Sequence, residues 1–321
     1  MDDLSKQLVR IATAGSVDDG KSTLIGRLLL ATGNVYEDQL KAVERASQKK
    51  GYSYVDLALL TDGLSAEREQ GITIDVAYRS IATAHRRYII ADVPGHEEYT
   101  RNMVTGISNA DIAVILIDAK RGLTTQSRRH LYIAAALSIP HILIAINKID
   151  LVHFSQERFA AIRDEVLTYL KPVRRSQIDC MPLSAFLGDM VVDRSTHLSW
   201  YTGPTFLEYL ETRAIERNSH QSAVRFPIQY VIRAHSERYY TGLLESGTVR
   251  KGESITIVPS GKNTVVQSIY IGSQEQTVAV AGQSISVIVR DTIDVSRGDS
   301  IVTHPESLHT GSGLLATIFW F

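Results

Sequence analysis

The sequence predicts an α/β domain, a mostly parallel sheet covered by helices on both faces, followed by an all-β barrel. Three observations carry this. Apolar runs of strand length alternate with helical periodicity as far as residue 217. From residue 224 the pattern changes to short strands separated by glycine and polar turns. Between the two, residues 216–222 are polar and read as a linker. The expected boundaries are 1–217 for the α/β domain, 218–224 for the linker, 225–310 for the barrel and 311–321 for a further strand-like stretch.

Residues 9–14 read as a strand entering Gly15-Ser16-Val17-Asp18-Asp19-Gly20-Lys21-Ser22, which fits G-x-x-x-x-G-K-[ST]. Thr23 and residues 24–30 read as the helix leaving it, ending near Gly33. Such a loop is a phosphate cradle. Gly15 and Gly20 permit backbone angles that turn N–H groups inward, and the helix N-terminus adds its positive dipole end. Lys21 supplies a mobile charge for phosphate oxygens, and the Ser22 hydroxyl is a ligand for Mg²⁺.

The remaining elements follow in order. Residues 37–50 are a charged helix, and 51–63 show no clear period. Residues 67–71 are polar and flexible, leading into Ile72-Thr73-Ile74, a segment able to order around a terminal phosphate and its metal. Strands at 74–83 and 87–92 are expected as an antiparallel edge hairpin. The second ends in Asp92, placed to hold a metal's water shell, and Gly95 follows with an amide for a terminal phosphate. Residues 97–108 look polar and mobile, and 111–118 form a continuous buried strand.

Helices are expected at 125–138 and 156–170. Between them, strand 141–146 runs into Asn147-Lys148-Ile149-Asp150. Asp150 there can accept both N1–H and the 2-amino group of guanine, which adenine does not offer. Strand 178–183 opens into Ser184-Ala185, and helix 205–217 closes the domain. Barrel strands are expected at 226–233, 241–249, 253–258, 264–271, 284–289 and 300–303.

Composition narrows the class. The chain has 321 residues, 44% hydrophobic and 21% charged, with net charge −1, which argues against a strongly basic nucleic-acid surface. The polar, acidic N-terminus carries no secretory core, and no apolar run reaches membrane-spanning length. A cytoplasmic location is the expectation. Cys180 is the only cysteine, so no internal disulfide forms, and its apolar strand marks it as core.

Gly15–Ser22, Thr73, Asp92–Gly95, Asn147–Asp150 and Ser184-Ala185, in this order and each beside an expected strand, resemble the five guanine-nucleotide motifs of translation-factor-type GTPases. Stretches 15–29, 56–78 and 94–103 more particularly resemble the large, GTP-hydrolysing subunits of bacterial sulfate adenylyltransferases. The likeness runs through essentially the whole chain. It implies a P-loop GTPase domain and an elongation-factor-domain-2-like barrel, with 311–321 opening a third domain that the sequence does not continue.

The resemblance also implies roles. GTP or GDP would contact Gly15, Ser16, Val17, Asp18, Asp19, Gly20, Lys21, Ser22 and Thr23, with Mg²⁺ on Ser22, Thr73 and, through water, Asp92. His96 would orient the attacking water, although a histidine after a turn is otherwise an ordinary surface residue. Val17 and Ile72 would form the apolar pair that restrains it. Asp18 is a candidate for recruiting a monovalent cation, a solvent-facing acid being the equal alternative. Asn147, Lys148 and Asp150 would read the base, with the Ala185 amide facing the guanine oxygen beside Ser184. No arginine stands out as a finger for the γ-phosphate, Arg68 and Arg101 being candidates by position alone.

The implied partner is the small catalytic subunit, which makes adenosine 5′-phosphosulfate and pyrophosphate from ATP and sulfate. No nucleic acid or membrane partner is expected. A translation factor delivering aminoacyl-tRNA is the competing reading. Against it stand Asp19, where elongation factors usually carry histidine, the Glu97-Glu98-Tyr99-Thr100 run and the neutral charge. A nucleotide-binding scaffold without turnover comes last, since Lys21, Thr73 and His96 are intact.

Overall fold

The computed structural model describes residues 7–49, 51–52, 54–60, 75–173, 176–215, 222–234, 237–304, 313, 315, 316 and 318. The chain divides into two compact units, residues 1–215 and 216–320. Ile72 and Thr73, with Arg68, lie outside the described residues, as do most of the linker and most of 305–321.

The first unit holds a six-stranded sheet in the order β2-β3-β1-β4-β5-β6. These strands are β1 (Gln7–Gly15), β2 (Ala77–Ala82), β3 (Arg86–Asp92), β4 (Ile112–Asp118), β5 (His141–Asn147) and β6 (Gln177–Pro182). Only β2 runs antiparallel, pairing with β3 at the edge. The others are parallel, so β1, β4 and β5 all end on the same rim of the sheet. β4 is buried at every position, as expected of a strand covered on both faces.

The covering helices are α1 (Lys21–Ala31), α2 (Glu37–Lys49), α3 (Thr100–Ile107), α4 (Thr125–Ala136), α5 (Gln156–Leu170) and α6 (Phe206–Thr212). Local chemistry starts three of them. Thr124, Ser155 and Thr205 each accept an amide hydrogen bond at the N-cap, and Thr205 completes a capping box with Glu208.

Three elements differ from expectation. Residues 97–108, read as polar and mobile, form a short 3-10 turn and then α3. Met103 and Ile107, four residues apart, are fully buried and hold that helix to the sheet. Gly106 brings it close, because an added Cβ would meet the Val93 side chain at 2.5 Å. Helix 205–217 stops at Thr212 because Arg213 is extended and anchored, paired with Asp179 at 2.9 Å and donating to His141 Nδ1 at 3.0 Å. Leu57–Leu60, which carried no clear period, is a 3-10 turn packed on α1. Gly26 makes the room for it, since a Cβ there would lie 2.2 Å from the Leu57 carbonyl oxygen.

Cys180 lies half-buried on β6, and burial pushes its thiol up to about 12. It packs against the edge of the core of the first unit.

The named strands of the second unit all pair antiparallel. Its strands are β7 (Arg225–Pro227), β8 (Tyr230–Ala234), β9 (Glu237–Leu243), β10 (Thr248–Arg250), β11 (Ser254–Val258), β12 (Lys262–Ile271), β13 (Gln274–Gln276), β14 (Val278–Val280), β15 (Ser284–Val289) and β16 (Ser300–Val302). One sheet follows the order β7-β16-β11-β12-β15-β9-β8, with β13 on β12, and β10 pairs with β14. The expected strand 226–233 is two strands, β7 (Arg225–Pro227) and β8 (Tyr230–Ala234), while 241–249 is divided between β9 (Glu237–Leu243) and β10 (Thr248–Arg250). Its core gathers Phe226, Tyr240, Ile257, Ile269 and Val287. Among the described residues no helix is long and apolar enough to cross a membrane.

Candidate nucleotide-binding site

The loop between β1 and α1 is shaped by backbone that only glycine adopts easily. Gly20 has φ of 92°, and a Cβ there would meet the Asn147 carboxamide nitrogen at 2.4 Å. Gly15 has φ of 154°, and its Cβ would crowd the Leu116 carbonyl at 2.8 Å. Asp18, exposed at the turn, is also left-handed, with φ of 66°. Lys21 is the first residue of α1 and only 7% exposed. Its Nζ donates to the carbonyls of Gly15 at 3.0 Å and Ser16 at 2.9 Å, so the ammonium is held inside the loop. Burial lowers the Lys21 pKa, against the opposing pull of Asp92 and Asp19.

These residues line a cavity of about 310 Å³. Val17, Asp18, Gly20, Lys21, Ser22 and Thr23 form one side, with Gly95, His96, Lys148 and Ala58 completing it. Gly95 sits tight on the loop, its position leaving 2.5 Å between an added Cβ and Lys21 Nζ. His96 is exposed and begins the 3-10 turn Glu97–Tyr99, its ring 6.1 Å from that of Tyr99.

Asp92, 2% exposed at the end of β3, accepts from Thr13 Oγ1 at 3.1 Å and from Ser22 Oγ at 3.4 Å. A hydroxyl and a carboxylate therefore converge beside the loop, the hard-oxygen donor set that Mg²⁺ takes when phosphate and water supply its other ligands. Among the described residues no group of three His, Cys, Asp or Glu side chains could hold a metal alone. The donors present fit a metal that arrives with a phosphate.

Several expected contact residues are not on the cavity. Ser16 is buried below the loop, its Oγ 2.8 Å from Thr124 Oγ1 and 3.3 Å from Ser127 Oγ. The Asp19 side chain is 1% exposed and accepts the Ser16 N–H at 2.7 Å. Desolvation raises its pKa, with Lys21 opposing. Both residues stabilise the loop from beneath.

The base-reading end is cross-linked within the protein. Asn147 donates through Nδ2 to the Asp19 carbonyl at 2.8 Å and accepts the Ala185 N–H at 2.9 Å. The Ala185 amide, expected to face a guanine oxygen, donates to Asn147 here. The bond satisfies buried polar groups, since Asn147 is 2% and Ala185 1% exposed. Ser184 is fully buried, and its Oγ accepts the Leu187 N–H at 3.2 Å. Lys148 is left-handed, with φ of 58°, and pairs with Asp118 at 2.9 Å. Asp150 carries a buried Oδ1 with no hydrogen-bond partner, an acceptor ready for a donor from outside.

Four contributors escaped the sequence reading. Ala58 lines the cavity from a stretch with no period. Arg27 reaches from α1 to the carbonyls of Ala185, at 3.1 Å, and Phe186. Asp118 holds Lys148, and Arg121 donates to the Val17 carbonyl at 3.1 Å. Nothing local announces these pairs, whose members lie 30 or more residues apart.

A glycine-shaped loop gripping a buried lysine, an acid and a hydroxyl beside it, and an unsatisfied carboxylate beyond Lys148 define a guanine-nucleotide-binding domain. The chain belongs to the family of the elongation factor Tu GTP binding domain, matched over residues 6–219, and residues 237–302 match elongation factor Tu domain 2. Among its relatives, sulfate adenylyltransferase subunit 1 of Bacteroides thetaiotaomicron is 50% identical over 309 residues, covering 95% of this chain and 64% of the relative. The protein of the same name from Vibrio vulnificus is 50% identical over 319 residues, covering 98% and 67%. This chain thus spans just under two thirds of the first relative's length. The bacterial selenocysteine-specific elongation factor EF-Sec has a similar structure, with TM-score 0.52 and 25% identity over 94% of this chain and 46% of that one.

Proposed function

We propose that the chain is a GTPase that converts GTP and water to GDP and phosphate, and that it serves as the GTP-hydrolysing subunit of a sulfate adenylyltransferase. The reading rests on one observation above others. A chain with this cavity is 50% identical, over nearly its whole length, to proteins named sulfate adenylyltransferase subunit 1.

Lys21 and the loop amides would hold the β- and γ-phosphates, balancing charge that moves toward the leaving oxygen. Ser22 and Thr73, with Asp92 through water, would hold Mg²⁺, which neutralises phosphate charge when bound. His96 would align the water in line with the γ-phosphate, with Val17 and Ile72 restraining it before activation. Asp150 would accept the guanine N1–H and 2-amino group, and Lys148, fixed by Asp118, would lie along the base. Asn147 would act by tying the phosphate loop to the Ser184-Ala185 loop. A monovalent cation beside Asp18 would appear as faster turnover in potassium than in sodium.

The adenylyl-transfer chemistry would belong to a small catalytic subunit, in the cytoplasm, with GTP hydrolysis driving adenosine 5′-phosphosulfate formation. The test is GTP turnover by the chain alone, then with that subunit, ATP and sulfate. The proposal requires a rise in turnover matched by adenosine 5′-phosphosulfate. Tight GTP binding without any rise would refute the coupled role. A salt-sensitive gel shift with tRNA would instead favour the translation-factor reading.

A further inference from the structure

The turn after β4 touches both ends of the cavity. Asp118 is almost fully buried there, and its two carboxylate oxygens divide their work. Oδ1 accepts the N–H groups of Lys120 at 2.8 Å and Arg121 at 3.3 Å, which fixes the turn. Oδ2 pairs with Lys148 Nζ at 2.9 Å. Burial alone would raise this carboxyl, but the bonds from Lys148 and the backbone outweigh it, so Asp118 stays ionised. The turn is braced from behind as well. Arg158 Nε donates to the Ala119 carbonyl at 2.7 Å, and the Gly122 N–H to the Asp118 carbonyl at 2.8 Å.

A turn fixed in this way presents Arg121 in one direction. Its guanidinium donates to the Val17 carbonyl at 3.1 Å, at the outer rim of the phosphate loop. The next residue, Asp18, is held with φ of 66°, a left-handed conformation that a residue with a side chain keeps only when its neighbours fix it. The Val17 carbonyl bond is such a restraint. Arg121 also adds positive charge beside a loop that would receive a polyanion.

We infer that Arg121 is a positioning residue for the phosphate loop, set by Asp118, so that one turn links base recognition to phosphate binding. The inference rests on the cavity being the GTP site. Arg121 acts through the Val17 carbonyl, holding the loop amides in the arrangement that a nucleotide diphosphate needs. It is exposed, so its removal leaves no buried hole and no orphaned buried charge.

The experiment uses the full chain, with GDP titrations and steady-state GTP turnover for wild type, Arg121→Ala, Arg121→Lys, Asp118→Asn and Asp118→Asn/Arg121→Ala. For Arg121→Ala the expected result is a rise on the order of fivefold in Kd for GDP and in KM for GTP, with the larger share in KM rather than kcat. The deficit shrinks at high salt, and Arg121→Lys recovers part of it. Adding Arg121→Ala to Asp118→Asn costs less than it does in wild type, because the arginine is already misplaced. A Kd and KM within twofold of wild type would overturn the inference, as would a fall in kcat and melting temperature without a change in KM. A wild-type chain that binds no GDP would instead overturn the reading of the cavity, and this inference with it.

Discussion

The Asn147 carboxamide donates to the Asp19 carbonyl at 2.8 Å, across 128 residues of sequence. Through its oxygen the same side chain accepts from Ala185 at 2.9 Å, so one asparagine ties the phosphate loop to the loop after β6. Asn147 is thus a structural fastener.

Asn147→Ala leaves the Asp19 carbonyl and the Ala185 N–H unpaired in the interior. The expected loss is about 1–3 kcal/mol of stability, the cost of leaving buried polar groups unsatisfied. Urea denaturation of the variant checks it. GDP affinity should fall in parallel, and full stability with weakened binding would mean that Asn147 acts on the base alone.

Asp150→Asn replaces one carboxylate acceptor with a donor at the buried Oδ1 position. Guanine then meets a mismatched N–H, whereas xanthine presents a carbonyl there. Competition binding should show the preference moving from GTP toward XTP by tenfold or more, on the order of the discrimination that one hydrogen-bond mismatch gives. Unchanged selectivity would remove Asp150 from base recognition.

These two residues show what could be read in advance. The asparagine, lysine and aspartate sit at the end of an apolar strand, and β5 does end at Asn147 with the motif on the sheet's rim. Their order along the chain named the nucleotide. What each side chain touches was not legible, because Asp19 and Ala185 come to Asn147 through the sheet order and not through spacing. The same holds for Arg121 on Val17 and Arg27 on the Ala185 carbonyl. Helix α3 was misread for a different reason. Half of its eight positions are polar, while two fully buried apolar side chains and one close-packed glycine seat it. In the second unit, strands were legible but their breaks were not, since β7 and β8 pair with different neighbours, β16 and β9.

His130 on α4 is fully buried, with Nε2 2.9 Å from Gln126 Nε2 and Nδ1 without a partner. Burial first, then Lys21 and Arg129, pushes its pKa down from 6.5 to about 3. Below the unfolded value, the unfolded chain therefore takes up a proton that the folded chain excludes. The stabilisation is present above 6.5 and is lost as pH falls toward the folded value. The difference in stability between wild type and His130→Gln should drift with pH, by up to about 1.4 kcal/mol per unit below pH 6.5. Denaturation series at neutral and mildly acidic pH measure it, and a pH-independent difference would contradict the neutral buried imidazole.

The most direct test of the nucleotide site is a pair of titrations on the wild-type chain with Mg²⁺, one with GDP and one with ADP. Lys21 and the phosphate loop serve both ligands equally, while the unpaired Asp150 carboxylate has matching donors only on guanine. GDP should bind more tightly by at least about a hundredfold, the order expected where a buried acceptor is paired in one complex and orphaned in the other. Equal affinity for the two would contradict the account.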